Sequence, residues 1–132
     1  MNLDFNSDKP IFLQISEGLA DDILSGIFPE ESQIPSITEF SVTYKINPAT
    51  ALKGINQLVD QGIIYKKRGI GMFVSKGAVD LLKQSRRQQF FDTYIIPMTE
   101  EARRLGLSKE DIEALIRRGF SSDAGDSGAS LL

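Results

Sequence analysis

Apolar positions recur at helical spacing along most of the chain. In Pro10–Ser25 the residues Ile11, Phe12, Ile15, Leu19 and Ile23 share one side, while Glu17, Asp21 and Asp22 take the other. Asp8 is placed to cap this helix, Pro10 suits its start and Gly26 its end. The stretch IFPEESQIP, bounded by Pro29 and Pro35, reads as a loop. Ser36-Ile-Thr-Glu39 then has the S-x-x-E pattern of a capping box, and predicts a short helix to about Tyr44 that buries Ile37 and Phe40. A tight turn at Lys45-Ile-Asn47 follows. Asn47 is a cap and Pro48 a first residue for the next helix, whose predicted buried face is Leu52, Ile55, Leu58 and Val59, with Gly62 as its end.

The pattern then shortens. IIYKK and GMFVS are β-branched or aromatic enough for two strands, joined by Arg68-Gly-Ile-Gly71 as a turn that tolerates positive φ. Helix, short helix, turn, helix and hairpin together describe a winged helix-turn-helix, expected over residues 1–76. From Ala78 the helical period resumes, through Leu81, Leu82, Phe90, Phe91, Tyr94, Ile95, Met98, Ala102 and Leu105. Pro97 is expected to bend or divide this helix. Ser108, with Asp111 three residues on, predicts the cap of a last helix ending at Gly119. Residues 77–119 thus form a helical segment. Residues 120–132 (FSSDAGDSGASLL) lack periodicity and are expected to be a disordered tail. The fold class is mainly α with a small β-hairpin.

Charge changes this picture more than bulk composition does. The net charge of −3 hides three regions: residues 1–44 carry −7, residues 45–76 carry +5 and residues 77–132 carry −1. An acidic protein therefore presents one basic helix-and-hairpin unit, which suits a local polyanion contact. A solvated hairpin with charged edges, which deter edge-to-edge pairing, is the plainer alternative. Cys and His are both absent, which removes disulfides, thiolate chemistry, the commonest metal ligand and the commonest neutral-pH base. No catalytic residues, metal site or cofactor are expected, and an enzyme is the weakest reading. The N-terminus MNLDFNSDKP has acids and no apolar signal core, and no apolar run approaches a membrane span, so a cytoplasmic address is expected.

Within the basic unit, Ala49, Thr50 and Lys53, with Asn56 or Gln57, occupy the free side of the Asn47-capped helix. Its first turns are where a recognition helix meets bases and phosphates. Thr50 can bond a phosphate oxygen, and Lys53 can donate to guanine or to phosphate. In the hairpin, Lys66, Lys67 and Arg68 precede Gly69 and Gly71, whose missing side chains let backbone approach a groove closely.

The run QIPSITEFSVTYKINPATALKGINQLVDQGIIYKKRGIGMFV resembles the DNA-binding domain of GntR-family bacterial transcription regulators. Pro35, Ser36, Ile46, Asn47, Pro48, Thr50, Leu58, Gly62, Ile64, Arg68, Gly69, Gly71, Phe73 and Val74 match the family pattern. The likeness extends over about residues 9–75 and implies a winged helix-turn-helix that binds double-stranded DNA. It implies phosphate contacts from Ser36 and Thr50, a base-reading role for Lys53 and a minor-groove role for Gly71. One departure stands out: where the family has Arg in P-S-x-R, this chain has Thr38. Threonine cannot make the bidentate guanine contact that Arg makes, so a different operator or a lower affinity is expected.

Some 40 residues after the hairpin are too few to enclose a core of their own. The apolar stripe of Phe90, Phe91, Tyr94, Ile95, Met98, Ala102 and Leu105 must bury against something: a second copy, forming a C2 homodimer, is the expectation, and packing on the chain's own N-terminal domain is the plainer alternative. The segment resembles the two-helix dimerisation unit of the short YtrA-type subfamily. That resemblance implies repression of an operon, often one for a transporter, through a palindromic operator. No residues for a small-molecule effector stand out. The runner-up function is a winged helix that binds protein without reading DNA.

Overall fold

The computed structural model describes residues 1–125 of the 132. It forms two compact units, Met1–Arg86 and a second from Arg87 onward. The first contains α1 (Ile11–Leu24), β1 (Gln33–Ile34), α2 (Ile37–Tyr44), α3 (Pro48–Asp60), β2 (Ile64–Lys67) and β3 (Gly71–Val74). It also holds the start of α4 (Ala78–Phe90). The second holds the end of α4, a π-helical turn (Phe91–Ile95), α5 (Ile96–Leu105) and α6 (Lys109–Gly125).

Local sequence explains most boundaries. Ser36 and Glu39 make the reciprocal capping box: Ser36 Oγ accepts the Glu39 N–H at 3.1 Å, and Glu39 Oε1 accepts the Ser36 N–H at 2.8 Å. Lys45 takes the left-handed conformation (φ 55) that ends α2. Gly26 and Gly62 sit at positive φ just beyond α1 and α3. At each end the next residue, Ile27 or Ile63, returns its N–H to the carbonyl of Asp22 or Leu58, which closes a Schellman motif.

The core lies between α1, α3 and one face of the sheet. Ile15, Leu19 and Ile23 of α1 meet Ile55 and Leu58 of α3, with Ile34, Ile64, Met72 and Val74 from the strands. Gly54 lets α3 approach α1 closely, for a Cβ there would stand 2.6 Å from the Phe12 carbonyl oxygen. Ala78 and Leu82 of α4 join this core. Glu30 fixes the start of α4, its carboxylate accepting the N–H groups of Gly77 at 2.8 Å and Val79 at 3.0 Å.

Several expectations are corrected. The sheet has three antiparallel strands in the order β1-β3-β2, because Gln33 and Ile34, read as loop, pair with Phe73 and Met72. Asp8 does not cap α1. Instead Gln14 reaches back, donating to the carbonyls of Asp4 and Lys9, both at 2.9 Å. The buried face of α3 is Ala51, Gly54, Ile55 and Leu58, so Leu52 points to solvent. α6 continues to Gly125, beyond Gly119 and into the stretch expected to be a tail. The rest of that stretch, 126–132, lies outside the described residues.

The interruption expected at Pro97 is a π turn just before it. Proline has no N–H for the Thr93 carbonyl, and its ring crowds that oxygen. The Ile96 N–H bonds instead to the Phe91 carbonyl, five residues back. Ser108 and Asp111 form a second reciprocal cap, with bonds of 2.9 and 3.1 Å, at the start of α6.

Candidate nucleic-acid interface

α3 is aimed by its first residues. Asn47 Oδ1 accepts the Ala49 N–H at 2.7 Å, so the Asn47 carboxamide oxygen is committed to the cap while its NH2 group stays free. Ala49, Lys53 and Asn56 follow at i, i+4 and i+7, on one side of the helix. Ala49 and Lys53 are exposed, Thr50 and Asn56 half-buried. The Lys53 ammonium stands 4.1 Å from the centre of the Phe12 ring on α1. Ser36 and Thr38 are exposed on the first turn of α2. The Ser36 oxygen is used in the cap, but its O–H remains able to donate.

The wing is built from alternating side chains. Lys66 lies on the face shared with Met72 and Ile34, and its Nζ donates to Asn56 Oδ1 at 2.8 Å. That bond ties the hairpin to α3 and makes the two one surface. Lys67 lies on the opposite face, 4.8 Å from the centre of Phe73, which itself stacks on Tyr65. The turn closes through the Ile70 N–H to the Lys67 carbonyl at 2.9 Å, with Gly69 at φ 76. Gln33 of β1 holds the tip, its Nε2 donating to the Ile70 carbonyl at 3.1 Å. A Cβ on Gly71 would run into that same Gln33 amide, so only glycine fits while Gln33 is in place. Among the described residues, Lys53, Lys66, Lys67 and Arg68 make no salt bridge, which leaves Lys53 and Lys66 uncompensated on the α3–wing surface, Arg68 at the turn and Lys67 on the other face of the wing.

Beneath the wing, Gln33, Ser36, Ile37, Lys66 and Ile70 help line an open cleft of about 290 Å³. Among the described residues no three His, Cys, Asp or Glu side chains come together as a metal site, and no helix is long and apolar enough to cross a membrane.

Three residues that shape this surface were not legible as such. Phe12 reads as core, Gln33 as loop, and Lys66 as one more charge in a run. Strand parity, which puts Lys66 and Lys67 on opposite faces, is the one signal that could have separated the two lysines.

In the second unit, Phe90, Phe91, Tyr94 and Leu105 are exposed, Ile95 and Met98 are half-buried, and Ala102 is already buried within the single chain. The Phe90 and Tyr94 rings lie 5.4 Å apart. On α6, Leu115, Ile116 and Phe120 are exposed as well.

The family described as bacterial regulatory proteins, gntR family, matches residues 12–74, from α1 to the last residue of β3. The HTH-type transcriptional regulator YhcF of Bacillus subtilis (strain 168) is 30% identical over 114 residues, covering 85% of this chain and 91% of YhcF. A crystal structure of a GntR-family transcriptional regulator from Bacteroides thetaiotaomicron superposes with a TM-score of 0.76 at 35% identity, over 86% of this chain and 98% of that one.

The chain belongs to the GntR family.

It is a DNA-binding transcriptional regulator and not an enzyme, with the family's winged helix-turn-helix. The match to the GntR description stops at Val74, yet likeness to whole regulators continues past the wing. The repressor YtrA of Bacillus subtilis (strain 168) is 26% identical over 131 residues, 93% of this chain and 99% of YtrA.

Proposed function

We propose that this GntR regulator represses an operon as a homodimer, each copy placing α3 in a major groove and its wing alongside. The observation that carries the DNA face is the Lys66–Asn56 bond, which joins α3 and the wing into one surface, with Lys53 and Lys66 free of salt bridges on it and Arg68 at its tip. Lys53 and Arg68 supply base or phosphate contacts. Ser36, Asn47, Thr50 and Lys67 hold phosphates, and Ala49, Gly69 and Gly71 allow close approach. Thr38 and its methyl replace a guanine-reading arginine.

Dimerisation is supported by the apolar residues left exposed in the second unit. Phe90, Phe91, Tyr94 and Leu105 would be covered by the same residues of a second copy, with Ile95 and Met98 beside them. Two heads related by a two-fold axis call for a palindromic operator. Its occupancy would block polymerase in the cytoplasm, where the promoter is. YtrA, of nearly the same length, is a repressor, which supports repression here, and transporter genes are the target class implied by the resemblance.

The test is a gel shift on the DNA upstream of the protein's own gene. Lys53→Ala together with Arg68→Ala is expected to lose binding and to flatten the salt dependence, by roughly 0.9 in log–log slope for each phosphate contact removed. Unchanged binding by the double variant would refute this reading.

A further inference from the structure

An isoleucine stands at the tip of the wing. Ile70 is 65% exposed, between Gly69 and Gly71, in a turn where polar residues are the rule. A single exposed apolar residue means little by itself. Three features of its surroundings give this one a meaning. Its carbonyl is held at 3.1 Å by Gln33 Nε2, from a strand at the far edge of the sheet, so the tip is braced rather than loose. Gly69 meets nothing within 4 Å at its missing Cβ, so the side of the tip is open to an outside body. Arg68 precedes it with no carboxylate partner among the described residues, and Lys67 stacks behind it on Phe73. A braced, narrow, cation-flanked tip ending in a branched aliphatic side chain has the form of an intercalating wedge. Such wedges enter the minor groove and partly unstack a base step.

We propose that Ile70 is a specificity-determining wedge. It contacts the floor of the minor groove beside the half-site, and it selects steps that open cheaply and carry no 2-amino group there. Gln33 is the positioning residue that holds it. This rests on the DNA-binding reading above and adds to it a source of sequence preference outside the α3 contacts. The chemistry is that of indirect readout. Pyrimidine–purine steps such as TA deform easily, and A·T pairs leave the groove floor free of the guanine amino group.

The full-length protein is used to select duplexes from a random library, in parallel with Ile70→Ser and Gln33→Met. Wild type is expected to enrich an α3 core flanked by A·T-rich or TA steps. Ile70→Ser should enrich the same core with the flanking preference gone. Gln33→Met, which fills similar space but cannot donate to the Ile70 carbonyl, should blur that preference in the same way. Replacing flanking adenines with 2,6-diaminopurine adds the amino group in the minor groove and leaves the major groove unchanged. It is expected to weaken wild-type binding by at least about fivefold, the low end for one altered base pair, and to leave Ile70→Ser binding unchanged. Equal melting temperatures among the three proteins would confirm that folding is not what changed. Identical flanking preferences in wild type and Ile70→Ser, or equal sensitivity to diaminopurine, overturn the wedge while leaving DNA binding intact. Failure of wild type to select any duplex overturns the DNA-binding reading itself.

Discussion

Lys53 Nζ sits 4.1 Å above the centre of the Phe12 ring, so the exposed cation of α3 rests on a side chain from α1. A lysine left free would lose rotamer entropy on binding, about 1.5–2 kcal/mol if fully ordered. The ring removes part of that cost beforehand. Phe12→Leu keeps an apolar side chain but loses the π face. DNA affinity is expected to fall about two- to fivefold, matching roughly 0.5–1 kcal/mol for an exposed cation–π pair. Fluorescence anisotropy on the selected operator checks this, and an equal or tighter Kd for the variant would count against it.

Two glycines in helices should respond to alanine with opposite signs. At Gly54 a Cβ would meet the Phe12 backbone oxygen at 2.6 Å and Ile15 Cβ at 3.0 Å, neither of which can swing away. Gly54→Ala is expected to destabilise by about 1–3 kcal/mol, outweighing the roughly 1 kcal/mol gain in helix propensity. Gly119 on α6 has nothing within 4 Å, so Gly119→Ala should keep that gain. Urea unfolding of both variants beside wild type decides the signs.

The Glu30 carboxyl is held below the usual glutamate range, first by the Gly77 N–H, then by the Val79 N–H, with Lys76 adding a favourable charge and burial opposing. A folded-state pKa depressed in this way adds stability that is complete above the unfolded value, about 4.3, and is lost as pH falls through the folded value. Asp111 behaves likewise through the Ser108 N–H and hydroxyl. The melting temperature should hold between about pH 7 and 5 and drop below about pH 4. Glu30→Gln should melt lower at pH 7 and lose less on acidification. Circular-dichroism melts across that range test both, and an unchanged acid slope in the variant would show that Glu30 contributes nothing.

Charge placed in the apolar stripe should separate the copies. Phe91→Asp with Tyr94→Asp puts two carboxylates where a dimer would bury rings, and both positions are exposed in the single chain, so folding should survive. Sedimentation velocity is expected to move from dimer to monomer, with operator affinity reduced at least about tenfold by loss of the second head. A wild-type protein that sediments as a monomer would remove the basis of this prediction.

What the sequence made legible was local. Ser36 with Glu39, and Ser108 with Asp111, are reciprocal caps that depend on residues three apart, so both helix starts could be read directly. Gly26 and Gly62 ended helices for the same reason. The third strand was hidden because Gln33 and Ile34 are too short a run to show alternation, and their pairing is with residues about forty positions on. Leu52 reads as buried because large apolar side chains dominate the helical pattern, yet it is exposed. The α1–α3 contact is instead so close that Ala51 and Gly54 fill it. Lys53, Arg68 and the wing glycines could be proposed from residue type and spacing. Their supports, Phe12 and Gln33, could not, since each acts through a neighbour brought near only by folding.

The π turn at Phe91–Ile95 carries a consequence for anyone aligning or re-engineering the second unit. One residue more than an α-turn holds shifts the angular phase of everything after it by about 100°. A heptad count carried straight from Phe90 to Leu105 therefore assigns the later side chains to the wrong azimuth. A single-residue deletion within the π turn would restore ordinary winding and leave Met98 and Leu105 facing as they do, whereas forcing α winding at constant length would rotate both by about 100° relative to Phe90, without changing one apolar residue in the stripe.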